Sequence, residues 1–169
     1  MKRYLLPLLV LAALTVSCGY HLGGLRRASM KGMNTYCVEN FFNETFYPHL
    51  GEMVTTAVAD SIQRDGTYRM ASADKCDFKV SGVVQSVTAD GLRTDAGDTY
   101  LSSEIGLTVH VLCTVTNCRT GRVIFTRSVQ AEGSYFNDST GNVQSARDSA
   151  LSYASRKVAG LIVQSLTLP

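Results

Sequence analysis

The chain has 169 residues, with 16 basic and 14 acidic side chains and a formal net charge of +2. That near-neutrality argues against general nucleic-acid binding, which needs a net basic footprint. The length suits one domain with a real hydrophobic core.

Lys2 and Arg3 form a basic start, and Tyr4 to Val16 is almost wholly apolar, broken only by Pro7 and Thr15. A positive n-region, a short apolar run and a small residue before the cut are the layout of a secretory signal. The run is shorter than the roughly 20 residues that span a bilayer as a helix. Residues 1–17 are therefore expected to be cleaved on export, leaving 152 residues; the loss of Lys2 and Arg3 leaves 14 basic against 14 acidic side chains.

Ser17 directly before Cys18, with Val16 and Leu14 upstream, resembles a bacterial lipobox, although Thr15 stands where a leucine-like residue is usual. The resemblance implies that Cys18 becomes the first mature residue and carries a covalent diacylglyceryl and N-acyl lipid. Its sulfur would then be a thioether, neither a redox group nor a metal ligand, and no other cofactor and no metal are expected. Each buried acyl CH₂ contributes about 0.8 kcal/mol, so several chains anchor stably. Gly19 rather than Asp after the cysteine resembles the sorting signal for the outer membrane. Residues 18–31 read as a tether. Its Arg26, Arg27 and Lys31 suit either anionic head groups or a solvated linker.

A single domain is expected over 32–169. "MNTYCVENFFN" (33–43) reads as a first strand. Pro48 marks a helix entrance, Leu50, Met53, Val54, Ala57 and Ile62 recur at helical spacing, and Gly66 stops the helix near 65. "YRMA" (68–71) is a short strand. Cys76, Phe78, Val80, Gly82 and Val84 then alternate with polar residues and are expected on one face. "ADGLRTDAGDTYLSS" (89–103) reads as a long polar loop. Ile105 to Val115 alternates cleanly, "NCRTG" (117–121) is a hairpin connection, and Val123 to Ala131 continues the pattern. A second loop is expected over 134–142. "NDSTGN" (137–142) offers helix caps, and Val143 to Ser165 carries an apolar stripe at helical spacing. The expected fold is α+β: a two-layer sandwich with a mainly antiparallel sheet of about four strands, covered on one face by two helices, in the order β-α-β-β-β-α.

Chemistry is sparse. No GxSxG, HExxH or Walker string is present. Ser72-Ala-Asp-Lys75 matches SxxK, but it falls in a turn rather than opening a helix, and it lacks SDN or KTG companions. His21, His49 and His110 are scattered, with His110 on the polar side of its strand. These features point to a non-enzyme. Beyond Cys18, the cysteines Cys37, Cys76, Cys113 and Cys118 lack metal-ligand spacing; in an exported chain four cysteines allow three pairings, and none is assigned.

"SCGYHLGG" (17–24), "VENFFNET" (38–45) with its Phe-x-Asn-x-Thr, "ADKCDFKVSGVV" (73–84) and the terminal "VAGLIVQSL" (158–166) together resemble the LptE family of outer-membrane lipoproteins. The resemblance implies a lipid-anchored protein on the periplasmic face of the outer membrane. It would assist assembly of, and plug, an LptD-type β-barrel, supporting lipopolysaccharide transport and insertion into the outer leaflet. Lipopolysaccharide itself is a second expected ligand. Arg93, Arg119 and Arg122 are candidates for its phosphates, because guanidinium offers bidentate geometry. The rival expectation is a periplasmic lipoprotein that regulates a peptidoglycan synthase, or one of the curli-secretion type.

Overall fold

The computed structural model describes residues 26–95, 98–137 and 142–167, with side chains described except at 93–95 and 98–103. After a single 3-10 turn at Ala28–Met30 come β1 (Thr35–Val38), β2 (Phe42–Asn43), α1 (Leu50–Asp65), β3 (Arg69–Met70), β4 (Phe78–Asp95), β5 (Asp98–Asn117), β6 (Val123–Phe136) and α2 (Val143–Thr167).

The six strands form one sheet in the order β3-β1-β4-β5-β6, with β2 also alongside β4. β4, β5 and β6 are an antiparallel meander, whereas β1 and β2 run parallel to β4 and β3 parallel to β1. Parallel neighbours need a crossover, and α1 provides it between β1 and β3. The α+β sandwich is as expected, but the sheet has six strands rather than about four. The short strand expected at 68–71 is present as β3, and the strand expected over 33–43 is divided into β1 and the two-residue β2, a piece too short for a period-2 pattern to reveal.

One face of the meander is apolar and carries both helices. Val80 pairs with Val115, Val84 with Val111 and Val109 with Ala131. These residues share a core with Leu50, Val54 and Ile62 of α1 and with Ala154, Val158 and Ile162 of α2. A register shift between Val84 and Ser86 reverses the parity of β4, so Val87 pairs with Val109 and packs on the core beyond the bulge.

The expected single strand over 33–43 is broken. Phe41 is buried against Gly82, where a Cβ would come within 2.5 Å of its ring. The backbone keeps contact with β4 on either side of the break, Glu39 N–H donating to Val80 O at 2.9 Å and Glu44 N–H to Val84 O at 3.0 Å.

α1 ends as expected: Gly66 takes φ 73° and its N–H reaches Ile62 O, the left-handed stop that glycine adopts without a Cβ penalty. α2 is capped by Asn142, whose Oδ1 accepts Ser145 N–H at 3.2 Å.

The expected loop at 89–103 is a correction. β4 continues to Asp95 and β5 begins at Asp98, so 89–95 and 98–103 are the arms of a long hairpin. A backbone ladder does not require apolar side chains, and register shifts around Arg93 and Thr94 absorb the irregular sequence. Likewise β6 runs on to Phe136, and of the second expected loop residues 138–141 lie outside the described residues.

Candidate functional site: the basic end and the polar face of the sheet

The first described residues are bonded into the domain. Arg26 donates to Asn34 Oδ1 at 2.8 Å and to Thr67 O at 3.4 Å, and its guanidinium lies 5.7 Å from the centre of the Tyr68 ring. Arg27 stacks 4.7 Å above Phe125 and donates to Ser165 O at 3.4 Å. Of the three cations near the tether, these two therefore help to hold the fold. Lys31 is exposed and lines a shallow cleft of about 190 Å³ with Asp77, Asn117 and Arg119.

Asp77 organises this end. Its carboxylate accepts the N–H groups of Asn34 (2.9 Å) and Thr35 (3.1 Å), the Thr35 hydroxyl (3.0 Å) and Arg119 Nη2 (2.6 Å). Its carbonyl accepts Cys118 N–H at 2.9 Å. One residue thus joins β1, β4 and the β5–β6 turn. The Asn34 N–H, then Arg119 and the Thr35 N–H, hold the carboxyl well below the usual carboxylate range. A group with a depressed folded pKa adds stability that is complete above its ordinary value of 3.8 and is lost as pH falls toward the folded value. Asp77→Asn is expected to lose about 2 kcal/mol at neutral pH, the scale of charge-assisted hydrogen bonds. Urea midpoints recorded between about pH 6 and pH 3 check both points: the gap between wild type and variant narrows at the acid end, and a constant gap contradicts the assignment.

Three cysteines meet beside Asp77. The Sγ atoms of Cys37, Cys76 and Cys118 all lie within 4.8 Å of one another, and Cys37 and Cys76 are 2.7 Å apart. The expectation that Cys76 joins the apolar face of β4 is corrected. It precedes the strand, and its sulfur meets that of Cys37, which is on the side opposite the core residue Tyr36. Burial pushes the Cys37 thiol up and the Cys118 thiol up to about 11, contact with Cys76 adding to both. Cys113 is separate, a core residue whose thiol burial pushes up to about 12. No motif search finds the trio, because sequence separations of 39 and 42 residues become contacts only through the β1–β4 and β4–β5 registers.

Among the described residues, the second face of the meander carries no helix. Its rows pair Thr108 with Glu132, His110 with Gln130, Leu112 with Ser128 and Thr114 with Thr126. His110 is on the polar side, as expected.

The candidate arginines are divided by this geometry. Arg119 and Arg122 sit in the β5–β6 turn, Arg119 78 % exposed and paired with Asp77. Arg93 pairs with Glu104 in the register where Phe78 pairs with Asn117. Thirteen residue steps along β5 therefore separate the two ends, on the order of 40 Å. Cys18 lies outside the described residues. Ser72 and Lys75 form a tight turn closed by Lys75 N–H to Ser72 O at 2.9 Å.

The Phe-x-Asn-x-Thr string has a structural meaning. Phe41 packs on Gly82 and its N–H donates to Thr55 Oγ1 of α1 at 2.9 Å. Asn43 Oδ1 accepts the N–H and hydroxyl of Thr45, turning the chain toward α1.

Compared with curated proteins, the chain has no match. Among solved structures it is similar to PelC from Paraburkholderia phytofirmans, a dodecamer, at 15 % identity and TM-score 0.54, over 86 % of this chain and 95 % of PelC. It is also similar to protein XCC0632 from Xanthomonas campestris at 16 % identity and TM-score 0.56, over 79 % and 84 % of the two chains. The protein CT253 from Chlamydia trachomatis aligns at 9 % identity and TM-score 0.54, over 81 % and 99 %. At these identities the likeness shows a shared fold. Sequence pattern goes further: the lipopolysaccharide-assembly family LptE matches residues 33–166, from just before β1 to the last turn of α2. By that match the chain belongs to the LptE family of lipopolysaccharide-assembly proteins.

Proposed function

We propose that this protein is the lipid-anchored component of an outer-membrane lipopolysaccharide-assembly complex, which assists assembly of, and plugs, an LptD-type β-barrel. The observation that carries the reading is the family match, which spans both layers of the fold. The sheet face opposite α1 and α2 gives physical support: its Thr, Ser, Gln and His rows suit the polar interior of a large barrel. The long β4–β5 hairpin is a second projecting element. The role is binding and assembly rather than catalysis, and the turn geometry at Ser72 and Lys75 is in keeping with that.

Cys18 carries the lipid in this reading and holds the domain at the periplasmic face of the outer membrane. Arg119 and Arg122 are the residues proposed for lipid A phosphates at the basic end. Arg93, on the order of 40 Å away along the sheet, would serve a separate contact near the hairpin. The family match favours this function over regulation of a peptidoglycan synthase or curli-type secretion.

Purification of the tagged protein from detergent-solubilised envelopes tests the proposal. A large β-barrel protein is expected as the abundant stoichiometric partner. Recovery of a peptidoglycan synthase without such a barrel overturns it.

A further inference from the structure

The contact between Cys37 and Cys76 is too short for two unbonded thiols. Heavy atoms in ordinary contact stay about 3.5–4.0 Å apart, and these sulfurs are at 2.7 Å. A shared metal ion does not account for it: thiolates bound tetrahedrally at about 2.3 Å from zinc stand about 3.8 Å apart, so a metal would have to part this pair by about 1 Å. A covalent bond of about 2.05 Å needs only a small closure. Cys118 completes the cluster from the β5–β6 turn, held there by its N–H bond to Asp77 O. Cys37 and Cys76 are buried, whereas Cys118 is half-buried and has access to solvent.

We propose that Cys37, Cys76 and Cys118 form a thiol–disulfide exchange site, in which Cys37 and Cys76 are joined as a disulfide and Cys118 is the thiol through which that bond exchanges with low-molecular-weight thiols and disulfides. Formation of the bond consumes one external disulfide, RSSR. One cysteine thiolate attacks it and expels RS⁻; the second attacks the mixed disulfide and expels another. The two protons end on the two RSH molecules, so the cysteine pair is oxidised and RSSR is reduced. Isomerisation needs no oxidant. The Cys118 thiolate attacks Cys76 Sγ, the Cys76–Cys118 bond forms, and the Cys37–Cys76 bond breaks. The electron pair leaves on Cys37 Sγ, which takes the proton that Cys118 gave up. An external thiolate can then attack Cys118 Sγ, giving a mixed disulfide on Cys118 and a thiolate on Cys76.

The test uses the full-length gene product purified in detergent, reduced, and then treated with oxidised glutathione, so its outcome does not depend on the compartment or partner proposed above. After thiol trapping, denaturation and peptide mapping, a Cys37–Cys76 cross-linked peptide is expected, with Cys113 and Cys118 alkylated. Alkylation of both Cys37 and Cys76 without reductant overturns the disulfide, as does a chain holding one zinc per molecule and no cross-link. For the exchange step, Cys37→Ser is expected to yield a Cys76–Cys118 cross-link. In Cys118→Ser, reduction of the remaining disulfide by glutathione under native conditions is expected to slow at least tenfold. Equal reduction rates in wild type and Cys118→Ser overturn the exchange role. Should Cys37→Ser fail to fold, the wild-type map and the Cys118→Ser rates decide the matter.

Discussion

Phe78→Ala is expected to lower the stability of the domain by about 4 kcal/mol, the cost of emptying a large aromatic site in a packed core. Phe78 is fully buried at the start of β4. Its ring meets Tyr68 edge-on with centroids 5.0 Å apart and lies 6.3 Å from Tyr36 at 30°. Two of these rings belong to β1 and β4 and the third directly precedes β3, so truncation opens a cavity where the parallel and antiparallel parts of the sheet join. The aromatic contacts add about 0.5–1.5 kcal/mol each beyond area burial. Urea unfolding followed by circular dichroism measures the loss. A decrease below about 1.5 kcal/mol would show that the site collapses around the missing ring. Phe78→Leu, which keeps most of the volume, is expected to cost less than half as much.

Gly133→Ala tests the contact between the layers. A Cβ built on Gly133 of β6 comes 2.2 Å from the carbonyl oxygen of Ala150 and 3.0 Å from its carbon. Both belong to the backbone of α2, which cannot step aside as a flexible side chain can. The methyl group must lift the helix by more than 1 Å from a strand on which Ala150 and Ala154 are buried. The expected loss is about 3 kcal/mol, at the upper end of overpacking effects, together with faster amide exchange in the first half of α2. Gly160→Ala is the control. That glycine is exposed on the same helix, and an added Cβ meets nothing within 4 Å. It is expected to stabilise by about 0.5–1 kcal/mol through helix propensity alone. Equal destabilisation by the two substitutions would contradict the contact.

The parts of this fold that were legible in the sequence share one property: a burial pattern with a period. Leu50 to Ile62 shows it for α1, Leu107 to Val115 for β5, and Ala150 to Ile162 for α2. Phe42–Asn43 is too short to have a period, so the division of the first expected strand was not visible and the sheet was undercounted, whereas the short strand at 68–71 was found. The hairpin arms at 89–95 and 98–103 carry no apolar alternation in sequence, because their order comes from the backbone ladder between β4 and β5. Nothing in a side-chain pattern reports that ladder.

The site was legible to a smaller degree. Arg119 was a candidate for lipopolysaccharide phosphates, and its most direct partner within the fold is Asp77, an acidic residue 42 positions away. The Phe-x-Asn-x-Thr string was recognisable as a motif before its purpose was apparent, since the turn at Asn43 and the seat for Phe41 on Gly82 exist only once β4 is in place. The three clustered cysteines were seen singly for the same reason. Their separation along the chain hides a proximity that the strand registers create.

The bond from Arg27 N–H to Leu166 O, at 3.4 Å, makes the domain a closed loop in space. Its first described segment and its last helical turn lie side by side at the end that also carries Asp77 and the thiols, while the last pair of the β4–β5 ladder, Asp95 with Asp98, belongs to the opposite end. A label, fusion or affinity tag attached close to Leu166 therefore sits beside that closure. The distal hairpin stays clear of it, and is the place to put a probe meant to report on what the free end of the domain meets.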